Sequence, residues 1–220
     1  MLAEALTSTI NKLVSEVPAW ADRFQFGEEL ELKEKKNTIL KEAEKIDEQL
    51  GLFQGFKKVL LFDGDLLVDA VIEVFRNGFG FKIDATEEYK EDIKILDPNG
   101  KPIIFAEIKG TNAGVKREHI NQADSHRERA GLPSEFPVIL IINTNIKNSR
   151  NLTEKDQPVS SEQIQHACKN NILILRTIDL LRLLRSRMDG KISDKQVNEL
   201  IKNNSGWLMF SDDNWKVVQS

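Results

Sequence analysis

Apolar residues follow two different spacings along the chain, and the change from one to the other divides the sequence into three parts. Residues 1–56 show mainly the spacing of helices. Residues 57–187 alternate between helical spacing and short continuous apolar runs, which are typical of buried strands. Residues 188–220 contain one more helical segment, at 194–203, followed by a tail. The pattern predicts an N-terminal helical segment, a central α/β domain, and a C-terminal helix with a tail.

The N-terminal segment carries apolar residues at alternating intervals of four and three positions, which makes a heptad-like seam. These residues are Ile39, Ala43, Ile46, Leu50 and Phe53. Pro18 interrupts the segment, so we expect two helices rather than one. The seam fits a helix packed on its own domain or a helix that pairs with a second copy of the chain, and two heptads do not discriminate between them.

Helices and strands are interleaved in the central part. The predicted strands are 79–83, 92–96, 102–109, 138–143 and 172–175. The predicted helices are one with an apolar side from Leu66 to Phe75, and segments 116–130, 160–168 and 178–188. Asn99-Gly100 predicts a hairpin turn between the second and third strands. This order predicts an α/β fold with a mixed sheet and helices on both faces.

Three chemically active side chains lie on this hairpin. Because strand side chains alternate between faces, Glu107 and Lys109 share one face of their strand. Counting outward from the turn brings residue 92 opposite residue 107, within one pair. We therefore expect Asp92, Glu107 and Lys109 to converge at one end of the sheet.

Two carboxylates and a lysine suit the hydrolysis of a phosphodiester. Carboxylate oxygens bind hard divalent cations such as Mg²⁺, which retain several waters and also bind phosphate oxygens. Such a cation lowers the pKa of a bound water, and a nearby ammonium stabilises developing negative charge. The alternative is a salt-bridged trio at a strand end without catalytic function.

The segments 89–93 (YKEDI) and 105–110 (FAEIKG) resemble the motif of the PD-(D/E)xK, or restriction-endonuclease-like, nuclease superfamily. The resemblance covers roughly residues 60–184. It implies a three-layer αβα domain with a mixed sheet over residues 57–187, with 1–56 as a helical or coiled-coil-like segment and 188–220 as a C-terminal helix and tail.

The resemblance also implies a role for each site residue. Asp92, Glu107 and the backbone carbonyl of Ile108 would bind Mg²⁺ or Mn²⁺, Lys109 would be catalytic, and Gln122 on the following helix would position water or substrate. The implied activity is that of a metal-dependent endonuclease acting on DNA in defence, restriction or repair. Members of such families commonly dimerise, and the seam from Ile39 to Phe53 is a candidate interface.

One position departs from the superfamily pattern. Relatives often carry a glutamate on the first helix that faces the metal, and the corresponding residue here is Val68. This favours an alternative, a catalytically inactive nuclease-like module that binds nucleic acid or a partner protein. His119 and His126 share a helix face with Gln122. Two interpretations stay open: the histidines lie near the scissile phosphate, or they are incidental residues of a solvated helix.

Composition limits the partners. The chain of 220 residues has a net charge of −4, so binding to DNA requires a local basic patch, for which residues 109–129 are the candidate. No apolar run approaches the roughly 20 residues of a membrane-spanning helix. The N-terminal residues lack the basic start of a secretory signal, and Cys168 is the only cysteine. We expect a cytoplasmic protein that does not interact with a membrane.

Overall fold

The computed structural model describes residues 20–86, 92–211 and 214–220. Within these ranges the helices are α1 (Gly27–Lys57), α2 (Gly64–Glu73), α3 (Arg117–Arg129), α4 (Leu152–Lys155), α5 (Ser161–Lys169), α6 (Thr177–Met188) and α7 (Asp194–Lys202). The strands are β1 (Lys82–Asp84), β2 (Ile93–Leu96), β3 (Pro102–Gly110), β4 (Val138–Asn143), β5 (Ile172–Arg176), β6 (Gly206–Ser211) and β7 (Asn214–Val218). None of the described helices is both long and apolar enough to cross a membrane.

The chain divides into two compact units after Gly51. The described part of the first unit consists of a 3₁₀ turn at Ala21–Arg23 and the length of α1 up to Gly51. The prediction of a helix over the seam is confirmed. The seam residues Ile39, Ile46 and Leu50 are 54%, 56% and 53% exposed. The expected helix break at Pro18 lies outside the described residues.

The second unit is built on a sheet of seven strands that follow one another in sequence order. β1, β2 and β3 pair antiparallel, β3 through β6 pair parallel, and β7 is antiparallel to β6. The Asn99-Gly100 turn forms as predicted, with Gly100 at φ 84° and the Asp97 carboxylate accepting the backbone N–H groups of Asn99 and Lys101. The prediction of a mixed α/β sheet is confirmed.

An apolar core lies on each face of the sheet. One core packs α2, α6 and α7 against alternate strand residues, among them Ile104, Ala106 and Ile108 of β3. The other packs α3 and α5 against the intervening residues, among them Phe105 of β3 and Leu140 of β4. Every residue of β4 and β5 is buried, as expected for parallel strands covered by helices on both sides.

Two local expectations are wrong. The strand predicted over 79–83 is only Lys82–Asp84, because Phe79 and Phe81 pack on Phe75 with ring centroids 5.7 and 5.8 Å away instead of alternating along a strand. The apolar side of α2 also does not include Leu66, which is 60% exposed. The helix continues beyond α2 as one π-helical turn over Val74–Gly78.

The predicted C-terminal tail is a strand pair. β6 lies beside β5, and a buried polar network on Asp179 of α6 fixes it there. The Asp179 carboxylate accepts hydrogen bonds from the Trp207 indole at 3.0 Å, the Phe210 backbone at 3.2 Å, and the Arg176 guanidinium at 2.6 and 2.9 Å. Arg176 also lies over the Trp207 ring. These contacts between distant segments explain why the strand pair is not evident from local sequence.

Asp179→Ala should lower the free energy of unfolding by about 3–5 kcal/mol, because it breaks a buried ion pair and leaves Arg176 only the partly exposed carboxylate of Asp156. It also removes the acceptor of the Trp207 indole and Phe210 backbone N–H groups. Urea unfolding measures the change. Asp189→Ala, which removes an exposed carboxylate just beyond the same helix, is the matched control and should cost less than about 0.5 kcal/mol. Equal effects of the two substitutions would contradict the structural role of Asp179.

Candidate active site

The hairpin brings the predicted trio together. Ile93 pairs with Ala106, so Asp92 lies beside Glu107, as the count from the turn predicts. The Asp92 Oδ2 atom accepts a hydrogen bond from the backbone N–H of Ile108 at 2.6 Å. Lys109 Nζ lies 2.7 Å from Glu107 Oε1. Asp92, Glu107 and Lys109 therefore form one cluster where β2 begins and β3 nears its end.

Glu107 is the buried centre of the cluster. It lies on the face of β3 that packs under α3, and only 1% of its surface is exposed. Its Oε2 atom is in short contact with Nε2 of His126 on α3, which is buried to the same degree. Its Oε1 atom forms the ion pair with Lys109 but makes no hydrogen bond of regular geometry. One carboxylate oxygen is thus fixed by the helix, and the other is directed toward the lysine.

Arg129 determines which nitrogen of His126 carries the proton. Its Nη1 atom lies 3.1 Å from Nδ1 of His126. Because a guanidinium only donates, Nδ1 accepts from Arg129, and Nε2 is the ring nitrogen that carries a proton. Nε2–H then donates to Glu107 Oε2. The chain Arg129–His126–Glu107 holds the carboxylate in one orientation.

Burial, and after it the negative charge of Glu107, raise the pKa of Asp92 to about 6. The hydrogen bond from Ile108 and the positive charge of Lys109 oppose this shift without cancelling it. A bound cation would stabilise the charged form of Asp92, whose ionisation burial and the neighbouring Glu107 charge disfavour.

The other residues predicted on α3 have different positions. His119 is half-buried, its Nδ1 accepts the backbone N–H of Lys116 at 3.2 Å, and burial lowers the pKa of its ring. Gln122 is exposed, one helical turn before His126. Among the described residues, its side chain makes no hydrogen bond to Asp92, Glu107 or Lys109. The predicted role of Gln122 can therefore only involve a bound water or substrate.

The residue at the position where the superfamily pattern often has a glutamate on the first helix is apolar in this chain. Val68 is partly buried and packs against the core under α2. A different acid lies near the site, since a Cβ atom added to Gly110 would be 2.5 Å from the Cβ of Asp63. Asp63 directly precedes α2 and lies against Gly110, the residue that follows Lys109. The glycine that follows Glu-x-Lys is the sequence signal for this close approach, and sequence reasoning did not use it.

Two loops beside this edge are joined to each other. The Asn112 side chain accepts the backbone N–H of Lys147 at 3.0 Å, and the Asn112 backbone carbonyl accepts from the Asn148 side chain at 3.0 Å. The backbone of Ile146 also donates to the Thr111 carbonyl at 3.2 Å. The paired loops carry exposed cations, namely Lys116, Lys147 and Arg150.

The donor set fits a hard divalent cation. The backbone N–H groups of Phe105 and Thr111 donate to the carbonyls of Pro137, just before β4, and of Asn143, the last residue of β4. Because successive residues of a strand point their backbone groups to opposite sides, Ile108 points its N–H and carbonyl toward the β2 side. The Ile108 carbonyl is thus on the same side as Asp92. No group of three or more His, Cys, Asp or Glu side chains in the described residues is arranged to hold a metal. Two carboxylates and a carbonyl suit Mg²⁺ or Mn²⁺, which complete their shells with water.

No protein-family model matches the chain, and no curated protein matches it significantly. The function must therefore be argued from the geometry of the site.

Asp92→Asn should stabilise the protein at neutral pH. The folded-state pKa of about 6 lies above the ordinary value of 3.8, so the folded chain binds this proton more tightly, and stability is lost as the pH rises through 6. Asn still accepts the Ile108 hydrogen bond but carries no charge. The melting temperature of Asp92→Asn should exceed that of the wild type by about 2–4 °C at pH 7.5, the shift caused by about 1 kcal/mol, and by less at pH 4.

The control for this experiment is Asp69→Asn, which alters an exposed carboxylate on α2. Its melting temperature should follow that of the wild type at both pH values. A wild-type protein that is more stable than Asp92→Asn at pH 7.5 would contradict the conclusion that the charged Asp92 carboxylate destabilises the fold.

His126→Ala and Glu107→Leu should be strongly coupled in a double-mutant cycle. Each removes one partner of the buried hydrogen bond, and a hydrogen bond to a charged group contributes about 1.5–3 kcal/mol. Urea unfolding of both single variants and the double variant measures the coupling energy. Additive effects, within about 0.5 kcal/mol, would show that the two side chains do not interact.

Proposed function

We propose that the protein is a metal-dependent nuclease that hydrolyses DNA phosphodiester bonds through a restriction-endonuclease-like domain. The observation that carries the proposal is the convergence of Asp92, Glu107 and Lys109 at the β2–β3 hairpin, with the Ile108 carbonyl on the same side. The proposed biological role is defence, restriction or repair.

The order of elements supports the proposed fold. A helix, three antiparallel strands, a second helix and a strand parallel to the third follow one another in α2, β1–β3, α3 and β4. Helices cover both faces of this sheet. This is the arrangement that the PD-(D/E)xK resemblance implies, and the motif residues lie directly before its second strand and on its third.

Each side chain has a separate task in the proposed reaction. Asp92, Glu107 and the Ile108 carbonyl would hold Mg²⁺ or Mn²⁺, which when bound polarises the phosphate and lowers the pKa of a bound water. The Lys109 ammonium stabilises negative charge that develops on the phosphate oxygens. His126 and Arg129 keep Glu107 oriented, and the exposed Gln122 contacts water or substrate. Because the pKa of Asp92 is about 6, this arrangement favours activity above that pH.

DNA is the proposed substrate because of the charges beside the site. With a net charge of −4, the chain as a whole repels a polyanion, so phosphate contacts must be local. The exposed cations Lys116, Lys147 and Arg150 lie on the two joined loops that follow β3 and β4. The free thiol of Cys168 is compatible with a reducing cytoplasm, which is the proposed location.

The second candidate function is that of a catalytically inactive module of the same fold that binds nucleic acid or a partner protein. Val68 favours it, because this position supplies an apolar core residue in place of an acid. Such a module would bind DNA without cleaving it and would need no divalent cation.

Cleavage assays distinguish the two functions. Linear, circular and single-stranded DNA should be tested with Mg²⁺ or Mn²⁺, with and without a chelator. We expect cleavage that the chelator abolishes, and a loss of at least about a hundredfold in rate for Glu107→Ala and for Lys109→Ala. Glu128→Ala and Lys195→Ala change exposed residues of α3 and α7 and should retain full activity.

Calorimetric titration with Mn²⁺ completes the test. The wild type should bind the ion and Glu107→Ala should not. DNA binding without either cleavage or ion binding would establish the inactive module, and cleavage that survives Glu107→Ala would refute the assigned site.

A further inference from the structure

α1 exposes an apolar stripe over most of its length. Every residue from Leu30 to Gly51 is exposed. A helix of this length with exposed apolar residues is stabilised mainly by packing against another element, since helical propensity alone contributes little. The stripe includes Leu32, which is 60% exposed, in addition to Ile39, Ile46 and Leu50 of the seam.

The stripe extends the seam by one heptad toward the N-terminus. Leu32, Ile39 and Ile46 recur every seven residues and occupy one of the two core positions of a coiled coil. Lys36, Ala43 and Leu50 occupy the other core position, also seven residues apart. Both series continue through the exposed part of α1, so the helix presents a complete coiled-coil face.

We propose that α1 pairs with α1 of a second copy of the chain in an antiparallel two-stranded coiled coil. In this arrangement each residue at the first core position lies opposite one at the second. The register in which all six of these core positions face one another sets Leu32 opposite the second copy's Leu50, and Ile39 opposite its Ala43. Lys36 then extends its aliphatic stem over Ile46 and keeps its ammonium in solvent.

The flanking charges favour this direction. In the antiparallel register Lys33 lies beside Asp47 of the second copy, and the symmetry produces this attractive contact twice. Leu40 meets Leu40 at the centre, and the single like-charge contact is Glu42 with Glu42.

A parallel pair would contain more repulsion. Its core layers would set Lys36 against Lys36, and its flanking positions would bring Glu42 beside Asp47 twice, against one attractive pair, Glu28 with Lys33, also formed twice. Like charges in these positions destabilise a coiled coil and select against the arrangement. The charges of α1 are thus more complementary to a second copy of itself in the antiparallel than in the parallel direction.

The oligomeric state of the full-length chain tests the pairing. Light scattering during gel filtration should give about twice the monomer mass of 25.1 kDa. Ile39→Lys combined with Ile46→Lys should halve that mass. The matched control is Asn37→Lys combined with Glu44→Lys, which adds two lysines on the outer face of the same helix and should leave the dimer intact.

Disulfide cross-linking tests the direction, in a Cys168→Ala background that removes the native thiol. A mixture of Leu32→Cys and Leu50→Cys chains should cross-link between unlike chains. Neither variant alone should cross-link, because the two Leu32 positions lie about 27 Å apart in the antiparallel pair at 1.5 Å per residue. This test is independent of nuclease activity.

Three results would overturn the proposal. A monomeric wild-type chain would exclude pairing altogether. A dimer that survives Ile39→Lys with Ile46→Lys would place the interface elsewhere. Self-cross-linking of Leu32→Cys alone would establish a parallel pair.

Discussion

A charged carboxylate buried inside a protein is unfavourable unless donors surround it, and the site of this protein is built around such a group. Glu107 is shielded from solvent between β3 and α3, where Lys109 pairs with one of its oxygens and Nε2 of His126 lies against the other. α3 is held on the sheet both by its apolar contacts and by the contact of His126 with Glu107. The pKa of Asp92 is raised first by its own burial and then by the charge of Glu107 beside it.

The two faces of β3 connect the fold to the site. Ile104, Ala106 and Ile108 fix the strand in the core beneath α2 and α6, so the residues between them must face α3. β3 is also where the sheet changes from antiparallel to parallel pairing. Since β2 begins only at Ile93, the Ile108 N–H is left beyond the strand ladder, and the Asp92 side chain accepts it. The site thus arises where regular strand pairing stops.

The parts of this arrangement that depend on local sequence were predictable. The Asn99-Gly100 turn set the hairpin register and hence the proximity of Asp92 and Glu107, and the apolar runs at 138–143 and 172–175 indicated parallel strands. The partner of Glu107 was not predictable, because helical spacing places His119, Gln122 and His126 on one face without indicating which of them lies deepest. The strand at 206–211 was missed because its position depends on Asp179 and Arg176, which are distant in sequence.

A crystal grown with Mn²⁺ provides the most direct measurement of the central claim, that these carboxylates form a cation site. Anomalous scattering locates the ion independently of the surrounding density. The account predicts one strong peak between the Asp92 and Glu107 carboxylates, with the Ile108 carbonyl oxygen among the ligands and His126 still bound to Glu107. An absence of any peak at the hairpin, or an ion bound elsewhere while Lys109 remains paired to Glu107, would contradict it.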